Sequence, residues 1–208
     1  MRTEAVIFDL DGTLPDSFGL RVEAWAHAFI KFGVMPEVTE IQPLIGLPGQ
    51  TLAAKYSDDP YAVEMEEERF FEDRMSQVSL YPDVESTFSD LRNMNIQAAI
   101  VTSSRRKLVS RMKLPTDRIV TIDDVSRGKP DTEPYRKAMQ LLNVSKPGNV
   151  VVVGDAITDI IPANDLGAIS VLVKHGKDYE TDLPNFIIDE VSEVIKIIKT
   201  LEKSVLPE

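Results

Sequence analysis

Short runs of apolar, mostly β-branched residues recur along the chain and constrain its fold more than any other feature. Each run is three to five residues long. Most are continuous rather than alternating, which is typical of strands that are covered on both faces. We predict six strands, at residues 5–8, 98–101, 119–122, 150–153, 169–173 and 186–188. Segments with helical spacing lie between several of these runs, and this alternation predicts an α/β fold.

The segments with helical spacing divide the chain into a core and an insertion. Residues 86–93, 133–142 and 189–203 alternate with strands, so we predict an open, mostly parallel, Rossmann-like sheet with helices on both sides. Residues 15–80 carry no comparable strand signal and are predicted to form an inserted all-helical domain. The predicted division is therefore a core of residues 1–14 and 81–208 and an insertion of residues 15–80.

Two longer helices are expected within the insertion. Ser17 is a candidate N-cap for the first helix, which would stop near Gly33. The second helix is expected over residues 60–78, with its acidic run at residues 64–68 interpreted as a solvated face. The buried side of this second helix is expected to contain Phe70, Phe71, Met75 and Val78.

The charge balance limits the classes of partner. The chain has 34 acidic and 23 basic residues, a formal net charge of -11, which would repel nucleic acid and anionic membrane surfaces. A small phosphorylated ligand would also be repelled, so a phosphate site would need local positive charge from a metal or from placed cations. The sequence contains no cysteine and no signal-like or membrane-length apolar run, which favours a cytoplasmic location.

Six polar residues follow the predicted strands, and the carboxyl ends of parallel strands lie along one edge of a sheet. Two carboxylates about 4 Å apart repel by roughly 4 kcal/mol at an effective dielectric constant near 20. A cluster of carboxylates therefore needs raised pKa values or a bound cation, and oxygen-only ligands suit Mg²⁺. The six residues are Asp9, Asp11, Thr102, Lys129, Asp155 and Asp159.

The motifs around these residues resemble those of the haloacid dehalogenase-like superfamily, in the same order and over nearly the whole chain. They are DLDGT at residues 9–13, IVTSS around Thr102, RGKPD around Lys129 and GDAITD at residues 154–159. The resemblance implies an enzyme with a Rossmann-like core and a helical cap, similar to phosphoglycolate phosphatases and β-phosphoglucomutases.

The resemblance also implies roles for the acidic residues. Asp9 would be the nucleophile that forms an aspartyl-phosphate. Asp11 would be the general acid and base, which requires a raised pKa. Asp9, the backbone carbonyl of Asp11 and Asp155 would bind Mg²⁺, with Asp159 in or next to the same coordination shell. An acid at position 11 also favours phosphate-ester chemistry over dehalogenation, because a halide leaving group needs no proton.

Three further residues would bind the phosphoryl group. Thr102 would donate a hydrogen bond to a phosphoryl oxygen, assisted by backbone N–H groups around Ser103, where we expect the next helix to begin. Lys129 would neutralise and orient Asp9 and the transferred group.

Taken singly, these motifs have structural explanations. Thr102 alone is more often an N-cap, and Lys129 alone would be a solvated cation. A calcium loop is excluded because Phe18 stands where such a loop needs Glu, and a nucleotide-binding P-loop because Pro130 replaces its Ser or Thr. His27 is interpreted as a surface residue rather than a catalytic one. Only the joint order of the motifs favours the catalytic interpretation.

The expected function is hydrolysis of a small phosphorylated metabolite by a monomer or homodimer, with Mg²⁺ as cofactor. The cap would select the substrate. A β-phosphoglucomutase-like reaction is less favoured because residues 45–52 contain no arginine for a distal phosphate. Inorganic pyrophosphatase activity and a non-catalytic phosphate sensor remain alternatives. Cap residues that could reach the site are Arg21, Gln50, Lys55, Arg69 and Arg74.

Overall fold

A parallel sheet of six strands organises the computed structural model, which describes residues 2–178 and 181–203. The strand order is β3-β2-β1-β4-β5-β6, and each neighbouring pair runs parallel. The predicted α/β fold with an open parallel sheet is therefore confirmed. The strands are β1 (Ala5–Asp9), β2 (Gln97–Val101), β3 (Ile119–Val120), β4 (Val150–Gly154), β5 (Ile169–Val173) and β6 (Phe186–Ile188).

The centre of the sheet is the point at which the chain reverses its direction of winding. From β1 the chain proceeds outward through β2 to β3, then returns to β4 on the other side of β1. All five residues of β1 and all five of β4 are buried, as their continuous apolar sequences predict. Ligands of open α/β sheets bind outside the carboxyl ends of the strands at such a crossover, here between β1 and β4.

Four α-helices lie between β1 and the next core helix. Within the insertion the two longest helices pack against each other, and one apolar cluster of these four helices includes the buried residues Trp25, Phe29, Leu52 and Val63. These helices are α1 (Phe18–Lys31), α2 (Val38–Ile41), α3 (Gly49–Ala53) and α4 (Pro60–Arg74). Short 3₁₀ turns at Gln42–Leu44 and Met75–Gln77 complete the insertion.

The core helices cover the two faces of the sheet and form separate apolar clusters with it. They are α5 (Val84–Asn93), α6 (Arg106–Val109), α7 (Glu133–Leu141), α8 (Ile157–Leu166) and α9 (Val194–Lys203). Further 3₁₀ turns occur at Ile122–Asp124, Pro147–Asn149 and Val191–Glu193. Within the part of the chain described, no helix has both the length and the apolar character needed to cross a membrane.

Several predicted boundaries need correction. The strand expected at residues 119–122 ends at Val120, and the helix expected at residues 189–203 begins with a 3₁₀ turn before α9. The long helix of residues 60–78 ends at Arg74. Ser17 is not a side-chain N-cap of α1, because its hydroxyl is engaged elsewhere. It donates to Asp11 Oδ1 at 2.9 Å and accepts from the Gly12 N–H at 3.1 Å.

The two chain segments that connect core and insertion run side by side. The Asp16 N–H donates to the Ser79 carbonyl at 3.0 Å, and the Tyr81 N–H donates to the Leu14 carbonyl at 2.9 Å. These bonds form an isolated antiparallel bridge between Pro15 and Leu80. The division into a core and a 15–80 domain stays a prediction, and the paired segments are where its boundary would lie.

The interpretation of residues 64–68 as a solvated face is wrong. Three glutamates in this run are buried, because α4 packs against α1 on one side and faces the core segment before α6 on another. Each buried carboxylate is paired with a cation, which offsets the cost of removing its charge from water. The pairs are Glu64 with Arg105 (2.7 Å), Glu66 with Lys31 (2.6 Å) and Glu67 with Arg21 (2.9 Å).

Candidate active site

Three buried carboxylates meet at the carboxyl edge of β1 and β4. Asp9 is the last residue of β1, Asp155 follows β4 directly, and Asp159 lies in the first turn of α8. One carboxylate oxygen of each residue lies within 4.8 Å of the others. The structure therefore brings together three of the residues that the sequence assigns to a metal site.

Two lysines neutralise most of this charge. The Lys129 ammonium is buried and contacts the carboxylates of both Asp9 and Asp159, the latter at 2.7 Å. The Lys177 ammonium lies 3.2 Å from Asp155 Oδ2. Burial lowers the pKa of Lys129, but the Asp159 and Asp9 carboxylates outweigh it and raise that pKa above its ordinary value. Three carboxylates against two ammonium groups leave one net negative charge.

Burial raises the pKa values of two of these carboxylates, Asp9 and Asp155. Burial raises the pKa of Asp9 well above its ordinary value, and the Lys129 charge offsets this only in part. Burial also raises the pKa of Asp155 to about 6, against the opposing charge of Lys177. Both shifts show that the site holds these groups as anions only at a cost, which a bound cation would remove.

The donor set fits a hard divalent cation. All three converging side chains offer carboxylate oxygens, which are the ligands preferred by Mg²⁺ and Ca²⁺. Gly12, with a φ of 85°, and Gly154 make this convergence possible, since a Cβ on either would overlap the side chain of Asp155 or of Asp159. The side chain of Asp11 is not in this cluster, and its predicted ligand, the backbone carbonyl, stays a prediction.

The carboxylate of Asp11 faces the inserted helices instead. Arg21 binds it with two N–H groups, Nε to Oδ1 and Nη2 to Oδ2, each at 3.1 Å. The hydroxyls of Ser17 and Ser104 donate to it at 2.9 and 2.8 Å. Burial alone would raise the pKa of Asp11, but Arg21 and the hydroxyls lower it below its ordinary value. The expected raised pKa is therefore wrong for this conformation, because the sequence did not reveal the buried arginine.

The predicted phosphoryl-binding residues lie beside Asp9 and Asp11. Thr102 directly follows β2 and is buried, and its Oγ1 accepts a hydrogen bond from the Ser104 N–H at 3.0 Å. The Ser103 hydroxyl donates to the Gly46 carbonyl of the insertion at 2.7 Å. The expected helix start near Ser103 is displaced, since α6 begins at Arg106. The loop before it leaves residues 103–105 outside the helix.

A small cavity of about 50 Å³ lies between the sheet edge and the inserted helices. Its core side includes Asp9, Asp11 and the residues from Thr102 to Ser104. Its other side comes from α1, α4 and the segment around Gly46, so the insertion covers the candidate catalytic residues. The lining residues contributed by the insertion are Arg21, Trp25, Ile45, Gly46, Leu47, Gly49, Glu64, Glu67 and Glu68.

Of the polar cap candidates, Arg21 reaches the site. The Gln50 amide donates to Glu64 at 3.1 Å beside the cavity, and Lys55 is exposed. Arg69 pairs with Glu66 at 2.6 Å away from the cavity, and Arg74 stacks on a phenylalanine ring. The His27 ring is 40% exposed and stacks on Phe70, which agrees with the surface role predicted for it.

The residues of the site that were missed from the sequence include Lys177, Ser104 and Tyr135. Lys177 lies just beyond the end of β5, so the rule that located the other polar residues at strand ends could have found it. Ser104 is the second serine after Thr102, and its position gave no separate signal. The Tyr135 hydroxyl donates to Asp159 Oδ1 at 2.7 Å from the buried face of α7, where a tyrosine is not distinguishable from an ordinary core residue.

Comparisons with known proteins show the family of the chain. A family model described as haloacid dehalogenase-like hydrolase matches residues 6–173. Pyrophosphatase PpaX from Bacillus anthracis is 30% identical over 219 residues, covering 98% of this chain and 100% of the relative.

Solved structures share the fold. A hydrolase from Pseudomonas syringae has a TM-score of 0.87 at 23% identity, covering 96% of this chain and 99% of that one. A predicted phosphoglycolate phosphatase from Haemophilus somnus has a TM-score of 0.79 at 19% identity, covering 95% and 98%. At these identities the structural likeness supports the architecture.

Proposed function

We propose, since the chain belongs to the haloacid dehalogenase-like hydrolase family, that it is a Mg²⁺-dependent phosphatase acting on a small phosphate monoester or anhydride. The observation that carries this proposal is the convergence of Asp9, Lys129, Asp155 and Asp159 at the β1–β4 crossover, with Asp11 two residues beyond Asp9. The name of the Bacillus anthracis relative makes inorganic pyrophosphate the first anhydride to test.

In the first step, a carboxylate oxygen of Asp9 attacks phosphorus. The bond from phosphorus to the leaving oxygen breaks, and Asp9 becomes an aspartyl-phosphate. Lys129 stabilises the Asp9 anion before the attack and the phosphoryl charge that develops beside it. Thr102 and the N–H groups of the loop around Ser103 would bind the phosphoryl oxygens.

In the second step, water attacks the same phosphorus and releases inorganic phosphate, while Asp9 regains its carboxylate. Asp11 takes the proton from this water, a role for which its ionised state in the structure is suitable. Donating a proton to the leaving oxygen in the first step requires Asp11 to leave its contacts with Arg21. Substrate binding would therefore have to rearrange the contact between these two residues.

A metal ion fits the acidic cluster, and the residues that would hold it are Asp9, Asp155, Asp159 and the backbone carbonyl of Asp11. When bound, Mg²⁺ would neutralise phosphoryl charge and orient the group for in-line attack. The insertion, residues 15–80, would be the cap that excludes water from the site.

The test is phosphate release from a panel of compounds: pyrophosphate, phosphoglycolate, sugar phosphates and nucleotides. We expect release from at least one small compound with Mg²⁺ and none after chelation. Transfer of phosphate between positions of a sugar, without release, would instead support a mutase. If the protein binds one of these compounds but hydrolyses none of them, the result would support a non-catalytic phosphate sensor.

Mg²⁺ should stabilise the protein more strongly near pH 7.5 than near pH 5. Because the folded-state pKa of Asp155 is raised to about 6, ionising this group costs stability as the pH rises through that value. A metal removes that cost above the pKa but must displace a proton below it. The increase in melting temperature with saturating Mg²⁺, measured at both pH values, checks this.

The matched variants for this measurement are Asp155→Asn and Asp90→Asn. Asp155→Asn should lose most of the Mg²⁺-induced increase, whereas Asp90 is exposed on α5 and its replacement should leave the increase intact. An increase of the same size at both pH values would mean that Asp155 is not a ligand.

A further inference from the structure

The guanidinium of Arg21 is the cation that the inserted helices present to the cavity. Arg21 projects from α1 and is 7% exposed. Besides its two bonds to Asp11, it donates from Nη1 to Glu67 at 2.9 Å and from Nη2 to Ser104 at 2.6 Å. Its guanidinium carbon lies 3.7 Å from the centre of the Phe71 ring, which fixes the plane of the group. The position of this guanidinium group is therefore determined by residues of both the core and the insertion.

The charges around the cavity make Arg21 distinctive. Among the described residues that line the cavity, five are acidic and Arg21 is the one cation. Glu64 and Glu68 are paired with Arg105, at 2.7 and 3.0 Å, so these carboxylates already have a partner. Glu67 is paired with Nη1 of Arg21 itself. The edge of Arg21 that binds Asp11 is therefore the fork of N–H donors that an anionic group would bind in this cavity once Asp11 moves away.

We propose that Arg21 determines specificity by binding an anionic group on the leaving side of the substrate, in the place that the Asp11 carboxylate occupies in the structure. This inference rests on the proposed phosphatase function. The planar fork of arginine matches carboxylate and phosphate oxygens with two parallel hydrogen bonds, as it does here with Asp11. The carboxylate of Asp11 therefore stands in for an oxyanion of the substrate.

The position of Arg21 limits the length of the leaving group. In the proposed reaction Asp11 acts at the leaving oxygen, and two nitrogens of Arg21 lie 3.1 Å from Asp11 oxygens. Because Asp11 moves from this fork to the leaving oxygen in the proposed reaction, an anion that replaces it at the fork would lie close to the leaving oxygen. A second phosphate or the carboxylate of a two-carbon acid meets this condition. The distant end of a hexose does not.

The test compares substrates with anionic and uncharged leaving groups. We expect Arg21→Met to reduce the ratio of kcat/KM for pyrophosphate or phosphoglycolate to kcat/KM for p-nitrophenyl phosphate by roughly 100-fold. Arg21→Lys should give a smaller reduction, because it keeps the charge and loses the fork. Arg69→Met removes an exposed arginine of the insertion and should leave both rates unchanged. Equal losses on both classes of substrate would overturn the inference.

A binding measurement separates this inference from the proposed function. Methylenebisphosphonate is a pyrophosphate analogue that cannot be hydrolysed, and its dissociation constant can be measured by calorimetry whether or not the protein turns over any ester. Arg21→Met should weaken its binding roughly 100-fold and weaken that of inorganic phosphate much less. The unmodified protein could bind the analogue, with the expected weakening in Arg21→Met, and yet release no phosphate. In that case the phosphatase proposal fails and the role of Arg21 stands. If Arg21→Met does not fold, Arg21→Lys carries both tests, and unchanged affinity for the analogue in that variant contradicts the inference.

Discussion

Replacing Asp9 with asparagine should reduce the turnover number for phosphate release by roughly 10⁴-fold or more, the scale seen when a covalent nucleophile is removed. The amide of asparagine cannot form the acyl-phosphate bond, and no other described carboxylate occupies the end of β1. The measurement is steady-state phosphate release with saturating Mg²⁺ and a saturating concentration of the best substrate of the panel.

The same substitution should leave the fold intact. Asparagine has nearly the shape of aspartate, and burial already raises the pKa of Asp9, so removing its charge relieves repulsion from Asp155 and Asp159. Lys129 keeps its contact with Asp159 at 2.7 Å. The melting temperature without metal should therefore change little. Asp90→Asn, on the exposed side of α5, should retain full activity, and substantial activity in Asp9→Asn would exclude the aspartyl-phosphate mechanism.

The parts of the site carried by the sheet could be predicted from the sequence. A buried parallel strand has a continuous apolar sequence, so the ends of β1, β2 and β4 were evident, together with the polar residues that follow them. Asp9 and Asp155 are close because β1 and β4 are neighbours in the sheet. The shared edge of parallel strands then turns a one-dimensional pattern into a three-dimensional cluster.

The insertion was less predictable, because a helix surface does not reveal which element will cover it. The acidic run of α4 has the composition of a solvated face, yet Glu64 and Glu67 are buried against arginines that lie far away in the sequence. Arg21 was one of several cations that could have reached the site. Its burial beside Asp11 follows from how α1 packs over the sheet edge, which neither periodicity nor composition specifies.

Those contacts also determine the pKa of Asp11. From the sequence, a crowded carboxylate was expected to have a raised pKa, which burial alone would produce. The charge of Arg21, together with four hydrogen bonds from Arg21, Ser17 and Ser104, reverses the direction. The positions of the core residues are therefore readable from strand ends, whereas the pKa of Asp11 depends on side-chain contacts between separate parts of the chain.

Replacing Lys129 with methionine should lower the free energy of unfolding by about 3 to 5 kcal/mol at neutral pH without metal, besides abolishing activity. Lys129 is buried between Asp9 and Asp159, and methionine would fill a similar volume without supplying charge. Two buried carboxylates would lose their cation, since Lys177 contacts Asp155. Urea denaturation of the metal-free proteins measures the difference, with Lys146→Met, at an exposed position, as the matched control.

The stability lost in Lys129→Met should be recovered by either of two cations, Mg²⁺ or the proton. Mg²⁺ should raise the melting temperature of Lys129→Met more than that of the unmodified protein, because a metal at the same carboxylates would replace the missing ammonium. Protons should act in the same direction. Burial already raises the pKa of Asp9, and removal of Lys129 raises it further, so the deficit should shrink as the pH falls through that pKa. A deficit that neither Mg²⁺ nor acid reduces would show that Lys129 stabilises the fold by packing rather than by neutralising the carboxylates.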